Sequence, residues 1–379
     1  MKKFILIPDS FKGTMSSSEI CDIMSLSIKK TYADAQVIAI PVADGGEGSV
    51  DAFLCAVGGE KKVLTVNGPF FNPVSAFYGI IDGGTTAIIE MAACAGLPLA
   101  GDQKDPCKTT TYGVGQLMQA AINDGCKKII LGLGGSATND IGAGAAAARG
   151  GKFVDDAGKA FIPTGGTLCD VAHIDISGIA QAVKDVEIVT MCDIDNPLYG
   201  ENGAAYIFGP QKGADAAMVK TLDAGLKHMA HIIKADLKQD VSQQKGAGAA
   251  GGMGCGMVSF LGSRLQMGIE TVLETVKFDT LLNDVSMVFS GEGKIDSQSM
   301  RGKVVIGVAR HTKKAGIPLV AIVGDIDDHI EAVYDEGVSA VFSINRVAVE
   351  YKNAKPRAKS DLSLTMDNLM GFIKTIEKA

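Results

Sequence analysis

Runs of four or five apolar residues recur along the chain, and most stop at glycine or an acid. The first, 4–7, closes at Pro8-Asp9 and predicts a buried strand. Ser16 and Glu19 then stand at capping-box spacing, and Ile20, Met24 and Ile28 repeat every four residues, which predicts a helix to about Lys30. A second strand is predicted over 37–41, and a helix over 50–57 closed by Gly58-Gly59. Alternation of strand, loop and helix implies a parallel sheet.

The texture changes after Lys61. Short β-prone runs at 63–66, 74–78 and 86–90 are separated by the turn signals Gly68-Pro69, Asn72-Pro73 and Asp82-Gly83-Gly84. They predict a small, partly antiparallel sheet that begins a second domain. Thr109-Thr110-Thr111-Tyr112-Gly113 introduces a helix through Ala121, and 129–131 reads as another buried strand. A hairpin is predicted over 153–159, strands over 187–191 and 204–208, and a long helix over 214–237. The glycine-dense 246–256 segment reads as a mobile loop or as close backbone packing, with packing favoured. From 285 the α/β alternation returns, with strands over 285–289, 319–323 and 340–344, a helix over 304–315 and a last helix from about Leu362. Two strands at the start and three at the end suit one flavodoxin-like parallel sheet formed by both chain ends. The expected domains are therefore 1–65 with 285–379, and an inserted mixed α/β domain over 66–284.

The 379 residues suffice for two domains, and 46% hydrophobic against 21% charged residues supports a substantial core. A net charge of −7 excludes a general nucleic-acid binder. The eight cysteines form no CxxC pair, so they read as small buried hydrophobes in a reducing compartment. No stretch is long and apolar enough to cross a bilayer, and the N-terminal apolar run is too short for a signal peptide. A soluble, cytoplasmic protein is expected. The histidines His173, His228, His231, His311 and His329 lie outside the glycine and acid loops, so neither a Ser-His-Asp triad nor a zinc site emerges.

The stretch 127–150 carries the clearest chemical signal. An apolar strand breaks at Gly132, Gly134 and Gly135, Ser136, Thr138, Asn139 and Asp140 follow, and 145–148 is alanine-rich and helix-favouring. Strand, glycine turn and helix N-terminus together make an anion site, for which phosphate is the natural guest. A glycine turn that simply packs a helix on a sheet reads equally well. Gly132-x-Gly134-x-x-Ala137 also fits a relaxed dinucleotide fingerprint with Asp155 or Asp156 as the ribose acid, although the hairpin reading of 153–159 opposes it. The other strands end in similar loops, 9–12, 44–47, 193–195, 292–296 and Asp325. Any one of these acids is most simply a helix cap. Several such loops with lysines among them point to a shared site in an interdomain cleft, at the carboxyl ends of the strands. Their content suits phosphoryl transfer: carboxylates for Mg²⁺, lysines and amides for the phosphoryl charge, and an acid to take the hydroxyl proton.

At these loops the sequence resembles the type I glycerate kinases. The motifs are Pro8-Asp9-Ser10-Phe11-Lys12-Gly13, Asp44-Gly45-Gly46-Glu47-Gly48-Ser49, Gly134-Gly135-Ser136-Ala137-Thr138-Asn139-Asp140, Cys192-Asp193-Ile194-Asp195-Asn196-Pro197-Leu198, Phe208-Gly209-Pro210-Gln211-Lys212-Gly213, and Gly291-Glu292-Gly293-Lys294-Ile295-Asp296-Ser297-Gln298-Ser299. Ile141 departs from the pattern, where glycine is expected. The resemblance covers essentially the whole chain. It implies two α/β domains with the site between them, and ATP-dependent phosphorylation of D-glycerate at the 2-hydroxyl, giving 2-phosphoglycerate.

Within that frame Gly134, Gly135, Ser136, Thr138 and Lys294 are placed at the nucleotide phosphates. Asp193, Asp195 and Glu292 are the candidate Mg²⁺ ligands. Asp193, Asp296 and Lys12 are the candidate catalytic groups, and Asp9, Lys12, Asp44, Glu47 and Lys212 the candidate glycerate ligands. Two alternatives stay open: an NAD-dependent oxidoreductase acting on a small hydroxy acid, and a non-enzymatic sugar-acid-binding regulator.

Overall fold

The structure, a computed structural model, describes residues 1–43, 45–296, 299–301 and 303–378. The predicted substrate ligand Asp44, and Ser297 and Gln298 of the last motif, lie outside the described residues. The chain divides into two compact units, Met1–Ala43 with Gly268–Ala379, and Asp44–Met267. The first unit opens with strands β1 (Lys3–Pro8) and β2 (Gln36–Ala39). The second holds β3 (Glu60–Asn67), β4 (Pro73–Ile81), β5 (Thr86–Glu90), β6 (Lys128–Gly132), β7 (Glu187–Met191) and β8 (Arg264–Gln266). The chain then re-enters the first unit for β9 (Met287–Gly291), β10 (Leu319–Val323) and β11 (Val338–Ser343).

In the first unit the strands run β11-β10-β9-β1-β2, and every pair is parallel. This is the expected flavodoxin-like order, with its switch point between β1 and β9. The inner strands β1, β9 and β10 are mostly buried apolar runs because helices cover the sheet, whereas the edge strands β2 and β11 are partly exposed. Phe4, Leu6, Phe289, Val320 and Ile322 share a cluster with Ile20 and Met24 of the Ser17–Thr31 helix and Leu362 and Met366 of the Ala358–Ile376 helix. The capping box forms: Glu19 N–H donates to Ser16 Oγ at 3.2 Å, and Ser16 N–H to the Glu19 carboxylate at 2.9 Å.

The second unit is a mixed sheet, β8-β7-β6-β5-β4-β3, antiparallel over β3-β4-β5 and parallel from β5 to β8. Its extent differs from the expected 66–284. β3 pairs with β4 from Glu60↔Ile80 to Asn67↔Pro73, and the Ser49–Val57 helix lies against β4 and β5, so 45–65 travel with this sheet. Conversely, the Gly268–Thr275 helix packs on the Val304–Ala315 helix of the first unit, with Ile269 seated against Gly307.

Two further expectations change. Residues 204–208 form the Ala204–Phe208 helix, not a strand. Ala204 and Ala205 are buried while Tyr206 and Ile207 are exposed, a paired pattern that a strand's alternation cannot give. The predicted hairpin pairs Lys152–Val154 with Ala160–Phe161, and Asp155 closes its turn by accepting from Ala157 N–H at 3.0 Å and Lys159 N–H at 2.9 Å. That carboxylate oxygen is committed to its own turn, which counts against Asp155 as a ribose ligand. Close packing at 246–256 is realised: a methyl group at Gly251 or Gly256 would collide with the carbonyl oxygens of Thr138 and Ile141. No helix among the described residues is long and apolar enough to cross a membrane.

Candidate active site

In the second unit the chemistry gathers beyond the carboxyl ends of β6 and β7. The loop after β6 is clasped on two sides. Gly134 N–H donates to Gly45 O at 3.0 Å, while Leu97 N–H donates to Gly135 O at 2.9 Å and Ala137 N–H to Ala95 O at 2.8 Å. Side chains at Gly132 or Gly134 would strike the backbone of Gly45 and Gly46, so the Gly-Gly-Glu loop can lie directly on this one. Glu47 is exposed, and a Cβ at Gly135 would stand 3.8 Å from its carboxylate.

Against this loop rests Lys212, from the Pro210–Lys212 turn, at 2% exposure. Its ammonium donates to Ser136 Oγ at 2.8 Å and to Thr138 O at 2.6 Å. Burial pushes the Lys212 pKa down to about 7, and the nearby Asp140 opposes that shift. Gly134, Gly135, Ser136, Lys212 and Asp193 line one cavity of about 240 Å³. Thr138 takes part through its carbonyl; its hydroxyl is buried with no hydrogen-bond partner among the described residues.

The helix that follows does not open at Gly134–Ser136 as expected. It begins at Ala143, spans six residues, and its N-terminus is closed by the protein's own carboxylate. Buried Asp140 accepts from Gly142 N–H and Gly144 N–H at 3.2 Å each, from Thr111 N–H at 2.7 Å and from the Thr111 hydroxyl at 2.8 Å. Burial raises the Asp140 pKa against those hydrogen bonds. An anion at this loop would therefore meet Lys212, Ser136 and glycine backbone, not a helix dipole. The threonine run does more than start a helix: Thr109 Oγ1 donates to Ala137 O at 2.9 Å and anchors the loop. Glu90 was likewise missed. It ends β5 at 2% exposure and accepts from Val50 N–H at 2.6 Å, capping a helix whose own N-cap, Gly48, has no side chain to offer. A lone acid closing the apolar run 87–89 was the available signal.

The two aspartates after β7 part company. Asp193 faces the cavity, whereas Asp195 lies 3.6 Å from Lys245 in an exposed ion pair.

In the first unit a second cluster forms beyond β1, β9 and β10. Asp9 N–H donates to Gly291 O at 2.8 Å, and Ser10 N–H to the Asp9 carboxylate at 2.6 Å. Gly324 N–H and Asp325 N–H donate to Glu292 O and Gly293 O at 3.1 and 3.0 Å. Glu292 is 5% exposed, and one carboxylate oxygen has no hydrogen-bond partner among the described residues. Burial pushes its pKa up to about 7; Ser299 and Lys303 oppose the rise, and Asp9 and Asp296 add to it. Asp296 brackets the next turn, accepting from Ser299 N–H at 3.1 Å while its own N–H donates to Ser299 Oγ at 3.2 Å. Lys12 lines another cavity, of about 340 Å³, and Lys294 pairs with Asp327 at 3.4 Å on the surface. Among the described residues no three His, Cys, Asp or Glu side chains form a group able to hold a metal. One or two carboxylates with substrate phosphates are the usual protein contribution to a Mg²⁺ site, and exposed Asp193 or the unpaired Glu292 oxygen fits that role.

Residues 4–374 match the glycerate kinase family. The chain is 45% identical over 343 residues to glycerate 2-kinase of Escherichia coli K12, covering 90% of each chain. It is 41% identical over 373 residues to glycerate kinase of Bacillus subtilis 168, covering 98% of each. A crystal structure of a candidate glycerate kinase 2 from Salmonella typhimurium LT2 superposes with a TM-score of 0.88 at 38% identity, over 100% of both chains. With motifs, fold and relatives in agreement over nearly its full length, this chain belongs to the glycerate kinase family.

Proposed function

We propose that this protein transfers the γ-phosphoryl group of ATP to the 2-hydroxyl of D-glycerate. The observation that carries the reading is Lys212. It is a buried ammonium on the wall of a cavity, held by a hydroxyl and a carbonyl, with no ion-pair partner among the described residues. A buried cation is costly unless an opposite charge joins it. Both substrates and both products are anions. Lys212, Ser136 and the Gly134-Gly135 backbone suit the oxygens of a phosphoryl group or carboxylate. The first unit carries Asp9, Lys12 and Glu292, residue types that phosphoryl transfer uses: a cation for phosphate oxygens and an acid to take the proton of an attacking hydroxyl. Mg²⁺ held by Asp193 or Glu292 would neutralise phosphate charge. The name of the Escherichia coli relative, glycerate 2-kinase, favours the 2-position.

A coupled ADP-release assay with D-glycerate and MgATP tests the activity, and phosphorus NMR of the product reports the position. Turnover giving 2-phosphoglycerate is expected. Folded protein that releases no ADP would remove the kinase reading, and a 3-phosphoglycerate product would move the acceptor hydroxyl.

A further inference from the structure

The 340 Å³ cavity of the first unit has a lining that a three-carbon acid does not need. Its floor is apolar: Phe11 at 3% exposure and Ile344 at 4%. Tyr351 walls it, 64% exposed, its hydroxyl 3.2 Å from that of Thr14. Asn345 lines the same space, and its carboxamide makes no hydrogen bond among the described residues, although its backbone N–H donates to Ser343 Oγ at 3.0 Å. Lys12 and Lys355 bring positive charge to the same walls.

The position is that of a ligand site, because the cavity lies beyond the carboxyl ends of β1, β9, β10 and β11 of the flavodoxin-like sheet. The volume lies within the roughly 300–1,000 Å³ of small-molecule pockets. A flat aromatic body against an apolar floor and a tyrosine, with a polar edge facing a carboxamide, describes a nucleobase. A carboxamide offers one donor and one acceptor side by side, and adenine presents the complementary pair at N6 and N7. Guanine presents two acceptors at N7 and O6 and calls for two donors. The lysines then have phosphate oxygens to meet.

We propose that this cavity is an adenine subsite, with the Asn345 carboxamide reading the base edge and Tyr351 stacking on the ring. The proposal deepens the kinase reading, from which it takes the identity of the co-substrate. Steady-state constants for ATP, GTP and D-glycerate are measured on the full chain and on Asn345→Ala, Asn345→Asp and Tyr351→Ala; the substituted positions are exposed, so folding is spared. Asn345→Asp and Asn345→Ala should raise KM for ATP tenfold or more, lower the ATP-over-GTP ratio of kcat/KM at least tenfold, and leave KM for D-glycerate within twofold. Tyr351→Ala should raise KM for both nucleotides alike. An unchanged ATP constant in all three variants overturns the proposal. So does an equal change for ATP and GTP in the Asn345 variants. If the unaltered chain turns nothing over, calorimetric titration with ATP decides separately: binding that weakens tenfold in Asn345→Ala supports the subsite without the kinase reading, and no binding, or binding indifferent to Asn345, ends it.

Discussion

The Lys212 ammonium donates to the Ser136 hydroxyl at 2.8 Å inside a cavity wall, and no carboxylate pairs with it among the described residues. Below about pH 7 folded and unfolded chains both carry this charge, and the fold bears the full cost of burying it. Between about 7 and the ordinary lysine value of 10.5 the unfolded chain keeps a proton that the folded chain has lost, so stability rises with pH across that window. Lys212→Met should therefore stabilise the ligand-free protein by about 1–2 kcal/mol. The advantage should be greatest below pH 7 and fade towards pH 10, as urea titrations across that range will report. The same substitution should lower kcat/KM by about 10³ or more. In the unaltered enzyme kcat/KM should fall above about pH 7 as Lys212 deprotonates, and Lys212→Arg should remove that alkaline limb.

Much of the scaffold was legible and much of the site's wiring was not, for reasons visible in particular residues. The strand over 319–323 and the helix over 304–315 come out as expected, because an apolar run bounded by glycine or proline and a four-residue repeat each have one low-energy answer. The run 204–208 has no periodicity to read, and its helix follows from burying two alanines on one side. Lys212 looks like any loop lysine in sequence; its burial depends on Ser136 and Thr138, more than 70 residues away. In sequence Asp140 belongs with the phosphate loop, and its donors at Thr111 can be seen only once the chain has folded back on itself.

Asp140 should behave as a structural residue. Its carboxylate accepts from one hydroxyl and three amides, and an asparagine would turn an N–H₂ group towards some of those donors. Asp140→Asn should cost about 2–4 kcal/mol in urea unfolding. An unchanged midpoint would show that these contacts contribute little.

Ile141 is fully buried at φ +54°, a left-handed backbone that disfavours a β-branched side chain by about 1–2 kcal/mol. Ile141→Ala keeps the strain and loses packing, so it should destabilise by about 2–4 kcal/mol. Ile141→Gly also loses packing but relaxes the backbone, and should be the milder substitution. Thermal melts giving the reverse order would contradict strain at this turn.

Asp193 and Asp195 should separate cleanly in kinetics. Asp193→Asn alters a cavity wall, and kcat/KM should fall more than about 100-fold if that wall meets developing charge. Asp195→Asn removes an exposed pair with Lys245, which is worth at most about 1 kcal/mol, and should leave kcat/KM within about threefold. Equal losses would place both carboxylates on the reacting groups.

The flavodoxin-like sheet sets a timetable for synthesis. β1 is flanked by β2 on one side and by β9 on the other, yet β2 leaves the ribosome at once and β9 arrives after roughly 250 further residues. At about 5–20 residues per second the nascent β1 edge stays uncovered for roughly 12–50 s. Throughout that interval it offers a row of open amides and carbonyls to any passing chain. A chaperone that shelters the nascent β1–β2 segment would be most useful in that window, until β9 has been made.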